Sequence, residues 1–240
     1  MESALDTLRR WIARSKKMVF FGGAGVSTES GIPDFRGAGG LYSQISGEPA
    51  EVMLSRPYFF AHTEKFYEFY RRKVLAPDAK PNPAHVKLAQ WEEDGKLLAV
   101  ITQNIDGLHQ AAGSKNVLEL HGSAARNHCV KCAAPYGLSA VMSAQGVPRC
   151  HCGGIIKPDV VLYGEPLDDG VFRAAVAALD RADLLLVAGT SLSVYPAAGL
   201  IDAYHGGHIA LINLAPTEKD HMADLIIRGS VGEVLGGIDA

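Results

Sequence analysis

Met18-Val-Phe-Phe21 runs straight into Gly22-Gly-Ala-Gly-Val-Ser-Thr-Glu-Ser-Gly-Ile-Pro-Asp-Phe-Arg36, and this junction decides how the chain is read. Four apolar residues that empty into glycines predict a short buried strand opening into a loop with little side-chain bulk. Glycine has no Cβ, so such a loop can bring backbone N–H groups against a pyrophosphate. The pattern Gly23-x-Gly25-x-x-Thr28 lacks the third glycine of the dinucleotide fingerprint and is weak when taken alone. Its continuation through Gly31-Ile-Pro-Asp-Phe-Arg36 adds a turn, an aromatic plate and a permanent cation, more than a structural loop requires.

The same alternation extends along the chain. Strand-like apolar runs recur at Met18–Phe21, Leu97–Thr102, Val160–Leu162, Leu184–Ala188, His208–Asn213 and Leu225–Ile227, most of them separated by helical patterns or loops. Buried strands alternating with helices predict a Rossmann-like, mostly parallel α/β sheet covered on both faces, with ligands beyond the carboxyl ends of the strands. The polar motifs fall at those ends: Gly22–Arg36, Gln103–His109, Gly189–Ser191 and Asn213. Upstream, Leu5, Leu8, Trp11 and Ile12 recur at helical spacing and predict an amphipathic first helix rather than a secretory leader.

The 240 residues suffice for one main domain with a satellite. We divide them into a Rossmann-like domain (1–36, 82–126 and 155–240), a cofactor loop with a helical insertion (37–81), and a cysteine-bearing module (127–154). A net charge of -3 gives no electrostatic argument for nucleic acid, so no direct nucleic-acid binding is predicted. No apolar run approaches the roughly 20 residues needed to cross a bilayer, and a soluble, cytoplasmic protein is the expectation.

Every cysteine lies in one segment, as Cys129-Val-Lys-Cys132 and Cys150-His-Cys152. Four thiolates so arranged complete a tetrahedral shell for a structural zinc ion, leaving no open position for catalysis. The second pair is one residue shorter than C-x-x-C, and Gly153-Gly154 supply the freedom to turn it. His128 and His151 remain alternative ligands, and disulfides or free thiols the alternative state, disfavoured in a reducing compartment.

Thr102-Gln-Asn-Ile-Asp-Gly-Leu-His109 packs two amides, a carboxylate and an imidazole into one strand-end loop. That density marks a site, although a turn satisfying its own backbone would account for Asn104, Asp106 and Gly107 one at a time. His109 falls on the following helix, where structural and functional roles are equally open. Glu119-Leu-His121-Gly-Ser123 sets a second histidine beside glycine just before the cysteines, a candidate general base.

Taken together, the glycine loop, Gln103-Asn-Ile-Asp106, Leu120-His-Gly122, the cysteine knuckles, Pro158-Asp-Val-Val-Leu-Tyr-Gly-Glu165, Gly189-Thr-Ser-Leu-Ser-Val-Tyr-Pro196 and Ile212-Asn213 resemble, in order and over nearly the whole chain, the sirtuins, NAD-dependent protein lysine deacylases. The resemblance implies a Rossmann-like fold with a zinc ribbon and a helical insertion. It implies cofactor contacts from Ala24, Thr28, Phe35, Arg36, Gln103, Ile105, Asp106, Thr190, Ser191, Asn213 and Val231. It further implies catalytic roles for His121 and Asn104, substrate contacts from Val161 and Tyr163, and zinc on Cys129, Cys132, Cys150 and Cys152. The implied reaction consumes NAD, moving the acyl group of an acylated lysine to ADP-ribose and releasing nicotinamide. Mono-ADP-ribosyl transfer and a silent NAD or ADP-ribose sensor are the rival functions. Sirtuins that remove succinyl groups carry Tyr and Arg three residues apart on the helix beside the acyl pocket. Here, in Lys65-Phe-Tyr-Glu-Phe-Tyr-Arg-Arg72, the residue three before Arg71 is Glu68 and three before Arg72 is Phe69, so neither register supplies the Tyr and Glu68 would repel a succinate. Preference for uncharged acyl groups is predicted, with Tyr67 and Arg71, four apart and still on one helix face, as the alternative clamp.

Overall fold

The structure, a computed structural model, describes residues 3–35, 37, 40 and 48–238. The first helix, α1 (Ala4–Arg14), is capped by the Ser3 hydroxyl accepting from the Asp6 N–H, and it buries Leu8 and Ile12. The chain then enters β1 (Met18–Gly22), buried throughout, and leaves it through two single 3-10 turns, Ala24–Val26 and Thr28–Ser30. Short helices follow: α2 (Ala50–Met53), α3 (Arg56–Ala61), α4 (Thr63–Phe69) and a π-helical turn, Tyr70–Val74. Asn82 and His85 form a capping box at the start of α5 (Pro83–Glu93), which leads into β2 (Leu97–Thr102). Next come α6 (Leu108–Ala111), β3 (Val117–Glu119), β4 (Gly122–Cys129), β5 (Pro135–Gly137), α7 (Leu138–Met142) and β6 (Ile156–Val160). The chain finishes through α8 (Asp169–Leu179), β7 (Leu184–Ala188), a 3-10 segment Ala197–Ala203, β8 (His208–Ile212), β9 (Leu225–Ile227) and α9 (Val231–Gly236).

Six strands form one parallel sheet in the order β3-β2-β1-β7-β8-β9. Successive strands step outward from β1 on one side and from β7 on the other, so the order reverses between these two. That reversal opens a crevice at their carboxyl ends. Side chains alternate across β1: Met18 and Phe20 pack with Leu8, Leu88, Trp91 and Leu235 on one face, Val19 and Phe21 with Ala175, Leu179, Leu200 and Ile201 on the other. Each such phenylalanine contributes about 2–3 kcal/mol of apolar burial, which holds the strand rigid beneath the loop it feeds.

One expected strand is relocated. The run Val160–Leu162 is not part of the parallel sheet; β6 ends at Val160 and pairs antiparallel with β4 in a separate three-stranded sheet, β5-β4-β6. Its sequence, Ile-Lys-Pro-Asp-Val, carries polar residues that a central parallel strand does not tolerate. The helical insertion closes over this small sheet: Phe59, Phe66, Tyr67 and Tyr70 share a buried cluster with Val141, Ile156, Val160 and Leu162. Tyr67 donates its hydroxyl to the Ile156 carbonyl. Arg71 donates from Nε to the Val141 carbonyl at 2.8 Å and from Nη2 to the Gly146 carbonyl at 2.7 Å.

Candidate active site

Register places three loops side by side. Gly22 lies opposite Thr102 and Ala188, so Gly23, Gln103 and Gly189 emerge together from the sheet. The Gln103 N–H donates to the Gly22 carbonyl at 2.9 Å and the Gly25 N–H to the Gly189 carbonyl at 2.8 Å. A Cβ on Gly25 would sit 2.7 Å from Gly189 Cα, and one on Gly189, whose φ is +59°, would sit 2.6 Å from the Gly25 carbonyl carbon. These glycines therefore let two strand-end loops pack back to back. The sequence assigned their bareness to a phosphate; the atoms nearest to a Cβ at Gly23 and Gly25 belong to Gly189 and Thr190.

A cleft of about 500 Å³ opens where these loops meet the insertion and the small sheet. Of the residues singled out from sequence, Ala24, Phe35, Gln103, Asn104, Ile105, Asp106, His121, Val161, Tyr163, Thr190 and Ser191 line it. Three do not. Thr28 turns its hydroxyl to the Gly25 carbonyl at 3.0 Å, Asn213 donates to the Ala215 carbonyl at 2.8 Å, and Val231 begins α9 with its side chain in the core. Arg36 lies outside the described residues. His109 is buried away from the cleft, 4.7 Å from the His85 ring and 6.0 Å from Phe20.

Polar groups in the cleft are tied to one another. Asn104 Nδ2 donates to Ser27 Oγ at 3.0 Å, and Ser27 Oγ donates to Asp106 Oδ2 at 2.7 Å, while Asp106 Oδ1 accepts from the Leu108 N–H at 2.9 Å. Ser27 was missed as a functional residue by sequence reasoning, because nothing in the glycine loop's spacing links it to a carboxylate 79 positions away. Gln103 Nε2 donates to Thr190 Oγ1 at 2.9 Å, joining the loops after β2 and β7.

His121 follows β3 where the chain turns into β4. Its Nδ1 is 3.0 Å from the Gln103 carbonyl, to which it donates, so Nε2 is the unprotonated nitrogen. Burial pushes the imidazole pKa below its ordinary value, opposed in part by that hydrogen bond. A neutral imidazole with a fixed tautomer can accept a proton at physiological pH.

Opposite it runs the segment after β6. The Val161 N–H donates to the His121 carbonyl at 3.0 Å and the Tyr163 N–H to the Leu54 carbonyl at 3.0 Å; the Tyr163 carbonyl accepts from the Arg56 N–H at 2.9 Å and the Leu162 carbonyl from the Glu165 N–H at 2.9 Å. Lys157 Nζ donates to the Val160 carbonyl at 3.1 Å. Among the described residues, that leaves Val161 with the one carbonyl of residues 160–163 that accepts no hydrogen bond from the chain. An acceptor at the wall of a cleft, without a protein donor, is positioned for a ligand N–H.

At the far end of the small sheet the four cysteine sulfurs lie within 4.8 Å of one another. Cys129 and Cys152 are 3.5 Å apart, Cys132 and Cys150 3.6 Å, Cys132 and Cys152 3.5 Å. A tetrahedron with zinc–sulfur bonds of about 2.3 Å has edges of about 3.8 Å, so the donor set fits zinc; a disulfide would need about 2.05 Å. The Tyr136 hydroxyl and then the Cys152 N–H stabilise the Cys150 thiolate, pulling its pKa down to about 6.

The Sir2 family model matches residues 23–196. The NAD-dependent protein deacetylase of Clostridium perfringens is 54% identical over 243 residues, covering 99% of this chain and 99% of its own, and that of Cutibacterium acnes is 50% identical over 235 residues, covering 97% and 96%. Among solved structures, one of a Sir2 enzyme superposes with a TM-score of 0.90 at 41% identity, covering 99% of this chain and 97% of its own. Another, Sir2 with a p53 peptide and NAD+, gives 0.85 at 39% identity, covering 98% and 96%. With more than half its length under the family model and relatives of this identity along its full extent, the chain belongs to the Sir2 family.

Proposed function

We propose that the protein is an NAD-dependent protein lysine deacetylase, acting on acetylated lysines of other proteins. The observation that carries the reading is His121: a neutral imidazole with its proton fixed on Nδ1, in one cleft with the Asn104–Ser27–Asp106 chain and the free Val161 carbonyl. NAD, the co-substrate, supplies the ribose that gives up nicotinamide and accepts the acyl group. Acyl-lysine, NAD and water are consumed; lysine, nicotinamide and 2′-O-acyl-ADP-ribose are released.

The chain's own groups divide the work. Val161 accepts the amide N–H of the acyl-lysine and, with Tyr163, aligns the peptide as an added strand, which places the acyl oxygen in line for attack. Asp106 and Ile105 hold the nicotinamide carboxamide, Phe35 covers the ring, and Asn104 orders the polar groups beside the ribose. Gln103 and His121 face the ribose hydroxyls, and His121 Nε2 takes the proton from one of them. Ala24 meets the cofactor through the glycine loop, and Arg36, Thr190 and Ser191 serve its phosphates. Thr28, Asn213 and Val231 do not line the cleft, and their roles, Thr28 beside the glycine loop, Asn213 on the adenosine ribose and Val231 on adenine through its backbone, rest on the family resemblance alone. The four cysteines hold one structural zinc.

The division into residues 1–36, 82–126 and 155–240, with 37–81 and 127–154 as inserted units, is part of the same reading. So is a cytoplasmic location without nucleic-acid partners. No helix among the described residues is long and apolar enough to cross a membrane. Mass spectrometry of an acetylated peptide incubated with NAD tests the reading. Loss of the acetyl group with a matching O-acetyl-ADP-ribose product supports it, and an unchanged peptide refutes it.

A further inference from the structure

The segment that would receive the acyl-lysine does not hold its shape through a sheet. Tyr163 makes a single isolated parallel bridge with Ser55, and Val161 and Leu162 lie beyond the end of β6. What organises the stretch is an ion pair. Lys157 is 8% exposed, and its ammonium donates to the Pro158 carbonyl at 3.2 Å, the Val160 carbonyl at 3.1 Å and Glu165 Oε2 at 3.0 Å. All three ammonium hydrogens are thereby used. The same Glu165 oxygen accepts the Leu162 N–H at 3.0 Å, and Oε1 lies 3.7 Å from Arg56 Nε.

The pair closes a loop across the strand end. Lys157 reaches forward to Val160, the last residue of its own strand, and Glu165 reaches back to Leu162, so the turn between them is pinned from both sides. Arg56 ties it to the insertion, through its side chain to Glu165 and its backbone N–H to the Tyr163 carbonyl. Lys157 Nζ satisfies the Val160 carbonyl, the backbone N–H groups of Glu165 and Arg56 satisfy those of Leu162 and Tyr163, and among the described residues that of Val161 stays open.

From this we propose that the Lys157–Glu165 pair is a positioning device for substrate: it presets the peptide-accepting segment and aims the Val161 carbonyl before the acyl-lysine arrives. Neither side chain reacts. Lys157 is absent from the cleft wall, which Glu165 does line, and the effect of Lys157 on catalysis passes through Val161. A buried pair of this kind costs desolvation free energy and is often replaced by apolar residues without loss of stability. We assign the pair to geometry rather than to stability, and that distinction is testable. The inference rests on the deacetylase reading, because only that reading gives the Val161 carbonyl an amide to hold.

The test is the double variant Lys157→Met/Glu165→Leu, which removes both charges at similar volume, with Glu165→Gln as the single change that keeps an acceptor for the Leu162 N–H. The measurements are fluorescence anisotropy of a labelled acetyl-lysine peptide and steady-state kinetics varying peptide and NAD separately. Loss of preorganisation predicts that the double variant weakens peptide binding and raises the peptide KM by about tenfold or more, with the NAD KM within about twofold of wild type and an unchanged melting temperature. Glu165→Gln falls between the two. Peptide affinity equal to wild type in the double variant overturns the proposal, as does a matching rise in both KM values, which marks a general loss of structure. If the double variant does not fold, Glu165→Gln decides alone by the same split. A wild-type protein that binds the peptide but leaves it acetylated would overturn the deacetylase reading instead.

Discussion

Acid should destabilise this protein through one histidine more than through the others. His109 is 1% exposed, both of its ring nitrogens lack a hydrogen-bond partner, and its ring lies beside Phe20 and His85. Burial, reinforced by the neighbouring His85 charge, lowers its pKa to about 3, against about 6.5 in an unfolded chain. Above the unfolded value both states are neutral and the group contributes nothing. As the pH falls below it the unfolded state takes up a proton that the native state refuses, so stability declines until about pH 3 is reached. At pH 5 about 1.5 units of that window have been crossed, at about 1.4 kcal/mol each, a loss of about 2 kcal/mol. His109→Phe, an aromatic replacement that cannot titrate, should remove this loss. Urea unfolding of both proteins at about pH 7.5 and about pH 5 measures it as a difference, in which zinc loss and the remaining carboxylates cancel. If wild type and His109→Phe lose equal stability on acidification, the assignment of His109 as a buried neutral group is wrong.

If the imidazole acts after the sugar is seated, as proposed, His121→Ala should lower deacetylation at saturating substrate by about 10²-fold or more while leaving NAD binding and folding intact; retention of a tenth of the activity would remove it as general base. Since burial lowers its pKa, the acid limb of a kcat profile should fall below the ordinary histidine value of about 6.5, and a limb above that value would contradict the burial argument. Cys129→Ser should release zinc and lower the melting temperature, and metal analysis giving under about half an equivalent of zinc in fully active wild type would exclude the four-sulfur site. Acetyl-lysine peptides should be preferred over succinyl-lysine peptides: Tyr67 and Arg71 are spent on the Ile156, Val141 and Gly146 carbonyls. A succinyl kcat/KM equal to the acetyl value would mean that these contacts open to admit a carboxylate.

Local patterns carried the parallel sheet into view because its strands are short apolar runs with one reading. Leu184–Ala188 and Leu97–Thr102 have the same limits in sequence and structure. β3 was not legible: Val117–Glu119 is three half-buried residues whose strand character comes from pairing with β2. The small sheet was hidden for a similar reason, since β4, Gly-Ser-Ala-Ala-Arg-Asn-His-Cys, has no periodic apolar pattern and is ordered by β6 and by the cysteine cluster. The strand-end loops that build the cleft were legible from the alternation of strands and polar motifs, while most of its individual residues were named through the family resemblance. Ser27 depends on a contact 79 residues away, the Val161 carbonyl's isolation on bonds from other segments to its neighbours, and the Lys157–Glu165 pair on a turn that folds residues eight apart together, and no spacing rule reports those. Val231 is the converse: the family resemblance implied a cofactor contact, whereas helix α9 turns its side chain into the core.

The central claim is that cleavage of NAD and removal of the acetyl group are one coupled reaction in the His121 cleft. It is tested most directly by quantifying nicotinamide released from NAD with acetylated peptide, with the same peptide unacetylated, and with none. Coupled deacetylation predicts one nicotinamide for each acetyl group removed and background release in the other two reactions. Nicotinamide released at the same rate without an acetyl group, with ADP-ribose appearing on protein, would contradict the claim.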